Sequence, residues 1–188
     1  MPELTAKDLE SSAINTTLAL MAAAARTAPK AKGIDALVIL ALDGPEKQEI
    51  ADTMKAYASE DDPSRDKWLR DANNVEDADA LFIIGLKKRA GSAGLNCQAC
   101  GFDDCAAFDD APTTEGIFRG PTCAFKLTDL GIAIGSAVKT AGILNVDNRI
   151  MYRAGVAVMR SRWGAKMCIA YGIPLKISGK SPFFDRPL

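Results

Sequence analysis

The sequence predicts a mixed helix-and-sheet domain, α+β or three-layer α/β, as a single unit over residues 1–188 with a cysteine-bearing segment, 90–124, inserted in it. Three observations lead there. Residues 34–42 and 79–86 are continuous apolar runs of strand length, the pattern of strands buried on both faces. Segments with helical spacing of apolar residues lie between and around them, so helices are available to cover both sheet faces. With 48% apolar residues among 188, the chain supports one good core and is short for two.

Each element has a local reason. Thr5-Ala6-Lys7-Asp8 resembles a capping box, and Leu9, Ala13, Ile14, Leu18, Met21 and Ala25 recur at helical spacing to about Arg26. Pro29 and Gly33 end that helix, and 34–42 follows as a strand with Asp35 near its start. Gly44-Pro45 opens a second helix to about Ser59, with proline at its favoured first position. After the 60–63 break, a short helix over 64–73 turns Trp68 and Leu69 inward. Asp79-Ala80-Leu81-Phe82-Ile83-Ile84 echoes Asp35-Ala36-Leu37-Val38-Ile39-Leu40 and forms the second strand. A short helix from Asp103 carries Cys105 and Phe108, and 109–122 is loop. Cys123 opens a long apolar helix to about Leu144, with Gly131 and Gly135 permitting close backbone packing. Asp147 is expected to cap a further helix through about Trp163, and a last strand over 167–177 to be interrupted by Gly172 and Pro174.

The cysteines hold the chemistry. Cys97, Cys100 and Cys105 fall within nine residues, and Cys123 follows after seventeen more, behind Pro121. A tight loop presents three soft thiolates and a fourth approaches from elsewhere, which suits a 4Fe–4S cluster whose four irons each need one outer ligand. Gly101 stands where a left-handed turn or a close approach of backbone to sulfide favours glycine. Structural zinc remains an alternative, although its cysteines usually come as two pairs and here there is one. Scattered core cysteines are the bland alternative. Cys168, in an apolar stretch, is expected in the core and not among the ligands.

Composition narrows the rest. A formal charge of −1, from 23 basic and 24 acidic residues, points away from nucleic acid and membrane surfaces as partners. The chain has no histidine, which removes Ser–His–Asp triads, His-ligated haem, Rieske centres and His zinc sites. No apolar run approaches the roughly 18 residues that span a bilayer, and the polar opening residues lack a signal pattern, so a cytoplasmic location is expected. Asp103, Asp104, Asp109 and Asp110 either tune a redox centre or are solvated capping residues. Lys87-Lys88-Arg89 either docks an acidic electron-transfer partner or is a solvated loop. Arg149, Arg153, Arg160 and Arg162 are placed on one predicted helix, without spacing that puts all four on one face. Gly91-Ser92-Ala93-Gly94 lacks the ending of a phosphate loop.

The segment from Cys97 to Cys123 is similar to the small iron–sulfur module of electron-transfer complexes and corrinoid proteins. The whole chain resembles the DUF2148 family of ferredoxin-domain proteins, through Gly120-Pro121-Thr122-Cys123, Asp129-Leu130-Gly131, Val146-Asp147-Asn148-Arg149, Gly172-Ile173-Pro174-Leu175 and Phe183-Phe184-Asp185-Arg186. That resemblance implies a cluster and no particular substrate. A weaker resemblance, through Arg26-Thr27-Ala28-Pro29, the small residues of the 129–141 helix and the late Gly-x-Pro, is to flavin-dependent nitroreductases. It implies a nitroreductase-like core, with FMN phosphate bound by Arg26, Lys30, Lys180 and Arg186 at a dimer interface. The resulting expectation is a 4Fe–4S protein of electron transfer with a partner redox protein. The alternatives are an FMN-dependent reductase whose cluster feeds the flavin, and a non-enzymatic protein with a structural or sensory metal site. The alanine-rich first helix and glycine-bearing middle helix are compatible with a homodimer.

Overall fold

A computed structural model describes residues 3–59 and 62–184. In chain order the helices are α1 (Ala6–Thr27), α2 (Gly44–Ala56), α3 (Arg65–Asp77), α4 (Cys105–Asp110), α5 (Ala124–Ile143) and α6 (Tyr152–Arg160). The strands are β1 (Leu37–Leu42), β2 (Ala80–Lys87), β3 (Asp147–Asn148) and β4 (Met167–Lys176), with short 3-10 turns at Ala31–Gly33 and Arg162–Lys166. The sheet order is β1-β2-β4-β3 and every pairing is antiparallel.

β2 organises the layers. Its side chains alternate across the pleat. Ala80, Phe82, Ile84 and Leu86 join a core with Met21 and Ala25 of α1 and Leu130, Ala133 and Ala137 of α5. Leu81 and Ile83 join an opposite core with Ile50 and Met54 of α2, Trp68 and Val75 of α3 and Val156 to Met159 of α6. Both faces are buried, so the strand reads as an unbroken apolar run. Glycines bring the layers close. A Cβ on Gly155 of α6 would overlap the Ala170 carbonyl, and one on Gly172 would lie 2.6 Å from the Ala154 Cβ.

Most expected elements are present. The capping box forms, with Thr5 N donating to Asp8 Oδ2 at 2.9 Å and Asp8 N to Thr5 Oγ1 at 3.3 Å. β1 begins at Leu37, later than the apolar run, after a 3-10 turn in which Lys32 takes a left-handed φ of 54°. Two expectations are corrected. Asp147 caps no helix: it pairs with Lys176 in β3, and a Met151–Gly172 bridge keeps the chain extended until α6 starts at Tyr152. β4 is not interrupted. Gly172 exchanges both backbone hydrogen bonds with Met151, so strand alternation turns the nitrogen of Pro174 to that same side, away from the long β2 ladder.

One irregularity matters for the site. β2 and β4 slip register at Leu86/Lys87, where Leu86 faces Ile169 and Lys87 faces Met167. The extra residue is Cys168, and the bulge turns its side chain into the α1–α5 core.

The glycine contacts make a stability prediction. Gly155→Ala should destabilise the fold by about 1–3 kcal/mol through overpacking against β4. A lowered thermal midpoint by circular dichroism checks it. Gly131→Ala, where a Cβ meets nothing within 4 Å, is the matched control.

Candidate metal centre

The cysteine segment leaves the end of β2 and re-enters the core at α5. Its backbone is wound through left-handed conformations at Gly94, Asn96, Gln98 and Gly101, with φ of 64°, 48°, 60° and 83°. Turns of this kind aim successive N–H groups inward, as in loops that hold anions and iron–sulfur clusters. Here the target is Cys105. Asn96 N donates to its Sγ at 3.3 Å, while Cys105 N donates back to Asn96 Oδ1 at 3.0 Å. The Asn96 N–H, the Ser92 side chain and the Leu95 and Gly94 amides outweigh partial burial and hold the Cys105 thiol below its ordinary range.

Cys123 is the N-cap residue of α5 and is buried. It packs with Ala93 and Phe108 in a small apolar cluster against which Ala31, Cys100 and Phe102 rest, and the Phe102 and Phe108 rings meet edge to face at 5.4 Å. The structure therefore brings Cys100 to the same cluster as Cys123, sets Cys105 on an amide-lined turn, and leaves Cys97 exposed. All five cysteines are free thiols.

Four free thiols, three on one segment and one at the start of α5, are the donor type that a 4Fe–4S cluster takes, and structural zinc takes the same donors. Among the described residues no three potential ligands are gathered as for one metal ion.

The surrounding acids have local duties. Asp104 caps α4 through Ala107 N at 2.8 Å, and Asp109 accepts from Ser92 N at 2.7 Å and Ser92 Oγ at 2.8 Å. A cavity of about 340 Å³ lies beside the centre, lined among others by Lys88, Arg89, Asp110, Cys123 and Cys168. Burial pushes the Cys168 thiol up, only partly offset by the Thr122 hydroxyl. Behind the apolar cluster runs a polar seam. The fully buried Lys126 donates from Nζ to Ile34 O at 2.8 Å, Asp129 Oδ1 accepts from Ala31 N at 2.9 Å, and Lys32 Nζ donates to Gly94 O at 2.5 Å.

Of the basic residues expected at a flavin phosphate, Arg26 and Lys30 stand together at the C-terminal end of α1. Arg26 pairs with Asp35, and Lys30 Nζ caps the carbonyl end of α1 through Ala25 O, Arg26 O and Ala28 O. Lys180 lies beyond the last residue of β4, Lys176. Arg186 lies outside the described residues. The four later arginines disperse: Arg149 to Phe183 O, Arg153 to Asp71, Arg162 toward Glu46 and Glu49, and Arg160 to the exposed end of α6.

Residues 119–186 match the family described as uncharacterized proteins containing a ferredoxin domain, DUF2148. A protein of Archaeoglobus fulgidus, itself described as uncharacterized, is 42% identical over 183 residues, covering 97% of each chain. The chain belongs to the DUF2148 family. The DUF2148 match takes in Cys123 and begins after the three-cysteine loop.

The fold of this DUF2148 protein is that of nitroreductases. A nitroreductase with bound FMN from Desulfitobacterium hafniense superimposes with a TM-score of 0.59 at 16% identity, over 96% of this chain and 80% of that one. An FMN- and NADPH-dependent nitroreductase of Sphigopyxis sp. strain HMH gives 0.55 at 10% identity, over 100% and 86%. Both likenesses are of fold.

Sequence reasoning missed Asn96 and Ser92, the groups that address Cys105. The available signal was an asparagine directly before a cysteine, since asparagine is among the few residues that enter the left-handed region readily. In the metal-free protein, Cys105 should be alkylated by iodoacetamide at lower pH than an ordinary thiol, because its thiolate is the favoured form. Ser92→Ala should move that pH profile upward, as mapped by mass spectrometry of Cys105 peptides.

Proposed function

We propose that this protein holds a 4Fe–4S cluster on Cys97, Cys100, Cys105 and Cys123 and serves electron transfer in the cytoplasm. The observation that carries the reading is the packing of Cys100 against the small cluster that holds the buried Cys123, in the same segment as the amide-lined turn at Cys105. Such a cluster, when bound, takes up and releases single electrons. The chain's own groups do the rest. Four thiolates would hold the irons, the backbone amides of Gly94, Leu95 and Asn96 face the Cys105 sulfur, and Phe102 and Phe108 would shield the Cys100–Cys123 side from water. The exposed Cys97 side is where a partner redox protein approaches, with Lys87, Lys88 and Arg89 available to an acidic surface. No helix is long and apolar enough to cross a membrane among the described residues. We further propose that the outer face of α5, where Gly131, Gly135 and Gly142 stand open, meets a second copy of the chain.

Anaerobic reconstitution with iron and sulfide tests the assignment. Cys100→Ser should lose most of both, and Cys168→Ser should keep both. Equal behaviour of the two variants would refute the ligand set. A second reading, FMN fed by the cluster, is supported by the shared fold. The engagement of Arg26 and Lys30 weighs against it. Adding the metal-free protein to FMN should leave flavin fluorescence unquenched, and quenching would reinstate the flavoenzyme.

A further inference from the structure

We infer that the buried ammonium of Lys126 raises the reduction potential of the centre and that Asp129 opposes it. The inference rests on the cluster reading above. Lys126 has no exposed surface and stands one helical turn after Cys123, whereas Asp129 stands about two turns after it. Along the helix, the lysine is therefore the residue of the pair nearer Cys123.

The pair is loosely compensated. Lys126 Nζ is 3.7 Å from Asp129 Oδ2, and that oxygen has no hydrogen-bond partner. Nζ instead donates to Ile34 O. Asp129 Oδ1 is held by the Ala31 amide, and Ala31 rests against the cluster of Cys100, Cys123 and Phe108. The charges thus sit in the seam directly behind the lining of the site. Cys123 also begins a 20-residue helix, whose N-terminal end is positive.

Of the competing charges, the half-buried Arg119 is paired with Glu115 and the half-buried Lys30 caps the end of α1, and the others are exposed. Asp103, Asp104, Asp109 and Asp110 on the loop side, and Lys32 on the other, all face solvent. Water and salt screen exposed charges far more than buried ones. Reduction adds one electron, here taken from dithionite, and leaves one more negative charge at the centre. A buried cation favours that state and a buried anion disfavours it.

The experiment is a redox titration of the reconstituted full chain, with iron and sulfide content measured first. Lys126→Met should lower the midpoint potential and Asp129→Asn should raise it. Each change in the equilibrium constant should be about tenfold, the order one buried charge produces at an effective dielectric near 20. For one electron that is about 59 mV. A purely structural role does not produce shifts of opposite sign. Shifts in the same direction, or none, would overturn the inference while leaving the cluster in place. If Lys126→Met does not fold, Asp129→Asn decides alone: an unchanged or lowered potential overturns it. Wild-type protein without iron and sulfide would remove the cluster reading itself and this inference with it.

Discussion

The sheet has no exposed face at its centre, and the rest of the architecture follows from that constraint. β2 is buried from Ala80 to Leu86, so apolar side chains leave it in both directions. Two helical layers must meet them, one of α1 and α5 and one of α2, α3 and α6. Antiparallel pairing lets β1, β2 and β4 align without parallel crossovers. Small residues where α6 meets β4 then let the second layer approach to backbone contact.

The candidate site grows from the edge of this arrangement. α5 is fixed by its core face, and its first residue follows a buried cysteine. The turn at Ala31–Gly33 is tied to α5 through Asp129 and Lys126, and to the cysteine loop through Lys32. Replacing a buried charge pair with apolar groups is often neutral for stability. Lys126 stands fully buried in a position that an apolar side chain could fill, and its ammonium is held by the Ile34 carbonyl.

Elements with a strong period were legible in the sequence. α1, α5 and the paired runs of β1 and β2 came from apolar spacing and end signals that local physics enforces. So did the cysteine spacing that singled out four residues of five. Two features were not legible because distant partners decide them. The extended stretch around Asp147 is imposed by β4, far along the chain. Pro174 is tolerated because of which neighbour its nitrogen faces. The partners of Arg26 and Lys30 were not legible for a related reason. Lysine and arginine side chains reach whichever partner the fold supplies, and here those are the α1 carbonyl end and Asp35.

The unequal burial of the four thiols gives them unequal access from solvent. Cys123 is part of the core, while Cys97 sits on the surface. The two large hydrophobic layers draw no fully buried residue from the 90–124 segment. A thiol reagent in solution therefore meets Cys97 before Cys123. Seventeen residues between Cys105 and Cys123 keep the closure of the segment over the interior thiol short-ranged and inexpensive in chain entropy.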